Sequence, residues 1–156
     1  MLFALLGKIW KRLPPRARIF TARVFQAKFS TSAGGIITNE HGEVLLLNHV
    51  LRPSSGWGVP GGFMERGEQP EDAFRREIRE ETRLELRNVA YYQVRTSGSH
   101  IEFMFRAEAV GTASVNSREI TELGWFGIDR LPAEMSVDQK SFVRAALEGR
   151  PLKTKT

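Results

Sequence analysis

The chain contains no cysteine, which excludes disulfides and thiolate metal sites and is compatible with a reducing cytoplasm. It has no apolar run approaching the ~18 residues needed to cross a bilayer, no internal repeat and no low-complexity segment. A secretory signal places positive charge ahead of its apolar region; here the charges follow it, so that reading is rejected. Acidic residues are missing altogether from residues 1–28. That stretch holds Lys8, Lys11, Arg12, Arg16, Arg18, Arg23 and Lys28 and carries +7, while the other 16 basic and all 18 acidic residues leave the remainder at −2. The overall +5 is therefore the charge of an N-terminal arm and says little about the rest. At 156 residues with 41% hydrophobic side chains, the chain suits one domain with an ordinary core.

What is present centres on one stretch. Trp57-Gly58-Val59-Pro60 leads into Gly61-Gly62-Phe63-Met64-Glu65-Arg66-Gly67-Glu68, where glycines permit a sharp turn or a close approach to a ligand. A helix is predicted next. Pro70 suits its first position, Glu71 and Asp72 complement the positive end of its dipole, and no breaker precedes Thr82. On that helix Glu77, Glu80 and Glu81 fall within about 100° of arc, beside a packing row of Phe74, Ile78 and Thr82. Carboxylates so placed repel one another, more so when partly buried. Arginines can offset the repulsion, and so can a divalent cation.

Gly62, Glu68, Arg76-Glu77-Ile78, Glu80-Glu81 and the aliphatic Leu84, spread over 23 residues, resemble the signature of the Nudix hydrolases. One position departs: Arg83 stands where the family has glycine, and a left-handed exit from the helix would cost a non-glycine residue about 1 kcal/mol. The resemblance covers roughly residues 29–149 and implies an α/β/α sandwich with a mixed β-sheet. It implies magnesium or manganese held by Glu77, Glu80, Glu81 and the Gly61 carbonyl, with Glu68 supporting the cluster. It further implies Glu77 as general base oriented by Arg76, and a further glutamate outside the motif. Glu119 matches that last position best, with Glu122 second and an ordinary surface glutamate as the competing reading. The activity implied is metal-dependent hydrolysis of a nucleoside diphosphate linked to another moiety. Nucleoside triphosphates, nucleotide sugars such as ADP-ribose, dinucleoside polyphosphates and capped RNA all stay open. The rival is a nucleotide-binding or regulatory module of the same fold without turnover, recruited to membrane or RNA by the arm.

Around this core the chain divides into a basic helical arm (1–28), the main domain (29–150) and a short tail (151–156). In the arm, Leu2, Phe3, Leu6, Ile9, Trp10 and Leu13 follow helical spacing until Pro14-Pro15, and Ile19, Phe20, Val24 and Phe25 suggest a second short helix. Its destination stays open between its own domain, a homodimer partner, an anionic membrane surface and RNA, and the location expected is cytoplasmic or peripheral at a membrane. Strands are expected at 32–38 and 43–50 about the turn Asn39-Glu40-His41-Gly42, at 84–95 and 101–109 about Ser97-Gly98-Ser99, and at 120–128. Ser136 and Gln139 have capping-box spacing and open a final helix to about Glu148. His41, His49 and His100 read as surface or packed histidines, and Trp57 as core. Tyr91 and Tyr92 alternate faces of a strand. Nothing in the sequence chooses among Arg52, Arg95 and Arg106 as phosphate contacts, and the substrate-binding residues stay unassigned.

Overall fold

A computed structural model describes residue 7, residues 10–52 and residues 56–149. Apart from residue 7, the amphipathic segment expected ahead of Trp10 lies outside the described residues, as does the tail after Gly149. The elements are α1 (Pro15–Phe25), β1 (Ser30–Thr38), β2 (Val44–His49), β3 (Trp57–Gly58), β4 (Gly61–Phe63), α2 (Pro70–Thr82), β5 (Glu85–Ser97), β6 (His100–Val110), β7 (Ile120–Phe126) and α3 (Val137–Leu147). Seven strands form one mixed sheet in the order β3-β2-β1-β6-β5, with β4 added on β1 and β7 on β2. β1 runs parallel to β6, while the other pairings are antiparallel.

The first hairpin closes as the turn residues require. Asn39 Oδ1 accepts from the His41 and Glu43 N–H groups at 2.9 Å each, and Gly42 takes φ +74°. Of β2, Val44 to Leu47 are all fully buried, because helices cover both faces of the sheet. Alternation divides these side chains between two cores. Leu45 and Leu47 join Ala33, Ile37, Phe105, Phe74 and Ile78 under α2. Val44 and Leu46 join Ile36, Val59, Met104, Phe142 and Val143 under α3. The Phe74 ring stacks on Phe105 at 5.4 Å and lies over Gly35, where a Cβ would come within 3.0 Å of Phe74 Cζ.

The α/β/α sandwich with its mixed sheet is thus as expected. Local expectations need amendment: β1 begins two residues early, at Ser30, β2 is one residue shorter at each end, and β7 stops at Phe126 rather than at residue 128. β5 and β6 extend a residue or two further than the sequence suggested, up to the Gly98 turn (φ +56°), because they pair with each other almost throughout. Only half of the capping box forms: the Gln139 N–H donates to Ser136 Oγ at 3.3 Å, whereas Gln139 Oε1 is buried without a partner.

Candidate active site

The Gly61–Glu68 loop is fixed to β1 by antiparallel pairing of Gly61 with Gly34 and of Phe63 with Ser32. The backbones are close enough that a Cβ on Gly61 would lie 2.5 Å from the Ala33 carbonyl oxygen, and Gly61 has φ +147°. Helix α2 then sets its acidic side over this loop. It begins at Pro70 without a side-chain cap, and buries Ala73, Phe74, Ile78 and Thr82 against the sheet.

Arg76 gathers the carboxylates. Its Nε and Nη2 donate to Glu68 Oε1 and Oε2 at 2.8 and 3.0 Å, a two-pronged pair. Nη1 bridges Glu77 Oε1 at 2.8 Å and Glu80 Oε2 at 3.2 Å, and Nη2 also reaches the Phe63 carbonyl at 3.0 Å. Glu68 accepts a further bond from the Glu65 N–H at 2.8 Å. The Arg76 bond first, then this backbone bond, hold the Glu68 carboxyl down at about 2. In return Arg76 holds its proton more firmly than usual, chiefly through Glu68.

Glu81 has the opposite environment. It is 6% exposed, accepts from the Gly61 N–H, and its Oε2 has no hydrogen-bond partner among the described residues. Burial first, then the neighbouring Glu77 charge, push its carboxyl up to about 8. Arg52 pulls the other way, and Glu119 adds to the rise. Burial also raises Glu77, against the pull of Arg76.

Gly61, Glu68, Arg76, Glu77, Glu80 and Glu81 therefore come together. Glu119 is exposed yet close enough for its charge to act on Glu81, while Glu122 lies exposed on β7, paired with Asn48. Among the described residues no three acidic or histidine side chains close around a common point at ligand spacing. The Arg76 guanidinium bridges Glu77 and Glu80 and so offsets their mutual repulsion.

The helix exit takes the left-handed geometry despite the missing glycine. Arg83 adopts φ 61°, ψ 8°, and its N–H donates to the Arg79 carbonyl at 3.0 Å. The segment before β7 satisfies the remaining terminal carbonyls. Asn116 Nδ2 donates to Glu80 O, Asn116 N to Glu81 O and Ser114 N to Thr82 O, at 2.9–3.0 Å. Arg83 Nε donates to Asn116 Oδ1 at 2.9 Å. No sequence signal singled out Asn116.

Of the three unassigned arginines, Arg95 pairs with Glu102 over the Phe142 ring, and Arg106 lies over the Tyr92 ring. Of the three, Arg52 is the one whose charge acts on Glu81, without a direct bond to it. Its Nη2 donates to the Val59 carbonyl at 3.1 Å, its Nη1 is buried without a partner, and Glu81 and Glu102 act on its charge. A Cβ on Gly58 would fall 1.7 Å from that Nη1, so the glycine makes room for the guanidinium. Burial and the Arg52 charge press the His49 ring down to about 4, leaving it neutral near pH 7. His100 is held between Ser30 and Ser32 hydroxyls, and Trp57 packs edge-on against Phe126, both structural placements. Tyr91 lies exposed against Phe105 and Tyr92 against Phe142, on opposite faces as strand geometry requires.

Known proteins resemble this chain in fold and in sequence. Among solved structures, the MutT NUDIX hydrolase from Burkholderia pseudomallei matches with TM-score 0.64 and 28% identity, over 78% of this chain and 97% of that one. A NUDIX hydrolase from Nitrosomonas europaea matches with TM-score 0.67 and 26% identity, over 81% and 76%. Among curated proteins, the NAD-capped RNA hydrolase NudC of Vibrio parahaemolyticus is 28% identical over 100 residues, 62% of this chain and 38% of that protein. The 8-oxo-dGDP phosphatase NUDT18 of Mus musculus is 33% identical over 106 residues, 64% of this chain and 33% of that protein. The chain thus spans between a third and two fifths of the length of these two curated relatives. The NUDIX domain model matches residues 28–146, taking in the glycine loop, the acidic helix and both cores. With the arginine-bridged glutamates and the mixed sheet that carries them, this establishes that the chain belongs to the NUDIX domain family.

Proposed function

We propose that the chain hydrolyses the pyrophosphate linkage of a nucleoside diphosphate derivative. The observation that carries this reading is Glu81, a buried carboxylate on α2 with one oxygen unpartnered, beside Glu77 and bonded to the Gly61 N–H of the glycine loop. The names of the similar proteins support it, since NAD-capped RNA and 8-oxo-dGDP both contain a diphosphate joined to a nucleoside.

A hard divalent cation, magnesium or manganese, fits this donor set, because carboxylate oxygens suit such ions and Glu81 Oε2 is free to bind one. Glu81, Glu77, Glu80 and the Gly61 carbonyl would hold it, and it would supply charge neutralisation at the phosphate oxygens. The rest follows from the chain's own groups. Arg76 fixes the Glu77 carboxylate through its 2.8 Å bond. Burial raises Glu77 toward neutrality, which suits a group that must take a proton from the attacking water. Glu119 is the alternative acceptor, carried on the segment that caps α2. Arg52, with Nη1 unpartnered and its charge acting on Glu81, would donate to a phosphate oxygen of the substrate. The family match begins at residue 28, which supports reading residues 1–28 as an arm outside the catalytic domain.

The test is a panel of nucleoside triphosphates, nucleotide sugars, dinucleoside polyphosphates and capped RNA, each incubated with magnesium, manganese or EDTA. Cation-dependent release of a nucleoside monophosphate or pyrophosphate, lost in Glu81→Gln, is the expected result. Tight nucleotide binding without any product would instead identify a binding module.

A further inference from the structure

The basic arm has an exposed apolar side that the described structure leaves uncovered. Phe20 is 68% exposed, Val24 59% and Ile19 54%, on a helix whose neighbours would ordinarily hide them. Among the described residues, helix α1 makes no extensive contact with the sheet or with α2 and α3. Lys11, Arg12, Arg16 and Lys28 are exposed as well, and none of them pairs with an acidic side chain among the described residues. Phe20, Val24, Gln26, Ala27 and Lys28 line an open cavity of about 780 Å³ with Arg66. Arg66 belongs to the loop that also carries Glu68, so the arm and the catalytic loop share this surface.

We propose that residues 1–28 dock the enzyme on an anionic lipid surface, with α1 lying in the plane of the interface. Branched aliphatic side chains gain by leaving water for the acyl boundary, while the interleaved cations meet phosphate headgroups. The +7 charge with no acidic residue complements such a surface. RNA would use the cations and aromatic rings but offers nothing to Ile19 and Val24, which have neither donors nor a ring face. A two-fold contact between copies would set one +7 arm against another, which disfavours a second chain as the occupant. No described helix is long and apolar enough to cross a membrane, so the docking is peripheral.

The experiment is co-sedimentation of the full chain with phosphatidylcholine vesicles, with and without phosphatidylglycerol, near 0.1 M salt. Binding should rise about tenfold with the anionic lipid. It should fall at least about fivefold both in Phe20→Ser/Val24→Ser and in Arg16→Glu/Lys28→Glu. Nucleotide hydrolysis in solution and thermal stability should stay as in the wild type, showing that both variants are folded. Three results would overturn the proposal: no preference for anionic vesicles; vesicle binding unchanged in the apolar double variant; or binding only to a single-stranded RNA oligonucleotide, indifferent to Phe20 and Val24. Loss of a dimer by light scattering in the apolar variant, without vesicle binding by the wild type, would assign the surface to a second copy instead.

Discussion

Asn116 Nδ2 donates to the carbonyl of Glu80 at 3.0 Å, so a residue 36 positions downstream finishes the helix that presents the acidic cluster. With Arg83 Nε on its Oδ1, Asn116 ties the helix exit to the segment leading into Glu119. Replacing it by alanine removes both side-chain bonds and leaves a helix-terminal carbonyl to solvent. Asn116→Ala should lower stability by about 1–2 kcal/mol in urea denaturation. If Glu119 takes part in turnover, kcat should fall more than KM changes, because the segment that positions Glu119 is loosened.

Gly62 has no room for a side chain. A Cβ there would stand 2.3 Å from Glu77 Cδ and within 2.5 Å of both carboxylate oxygens. Gly62→Ala must therefore push the Glu77 carboxylate aside. Turnover should drop by about 100-fold, the scale of a misplacement near 1 Å. Circular dichroism should show the fold retained, since the displaced group is a side-chain end.

Arg76 donates to Glu68, Glu77, Glu80 and the Phe63 carbonyl at once. Lysine keeps the charge but lacks the planar fork, so Arg76→Lys is not conservative here. Stability should fall by about 1–3 kcal/mol, and kcat/KM should fall with it because Glu77 loses its orienting bond. Paired measurements of denaturation and steady-state kinetics check both.

The Glu81 carboxyl, raised from 4.5 to about 8, makes the metal-free protein sensitive to base. Between those pH values the folded state keeps a proton that the unfolded state has released, so stability falls as pH rises through the window. His49, held at about 4, has lost its proton in both states above pH 7 and does not interfere. From pH 7 to 9, in EDTA, the wild type should lose about 1 kcal/mol that Glu81→Gln does not lose. Denaturant titrations at the two pH values decide it. Adding magnesium should remove the dependence if Glu81 is a ligand.

Much of this was readable from the chain because it depends on neighbours in sequence. Helix α2 came from Pro70, the acidic first turn and the Phe74–Ile78–Thr82 row; its glutamates share a side because helical geometry is local. The hairpin at Asn39–Gly42 followed from turn chemistry in the same way. Arg83 shows the limit. Sequence alone raised a doubt about the helix exit, and the structure resolves it: tertiary bonds from Asn116 and Ser114 accompany the left-handed turn.

The amino-acid sequence by itself determined the family, the acidic helix, the glycine loop and the segregation of charge into the arm, since each is written in spacing or composition. Only the tertiary structure decided that Glu81 is buried and Glu80 exposed, that the Arg52 charge is felt at Glu81, and that Asn116 closes the helix. Those outcomes depend on which face of the sheet a distant strand or loop returns to, and a dielectric environment or a long-range hydrogen bond exists only once that return has been made.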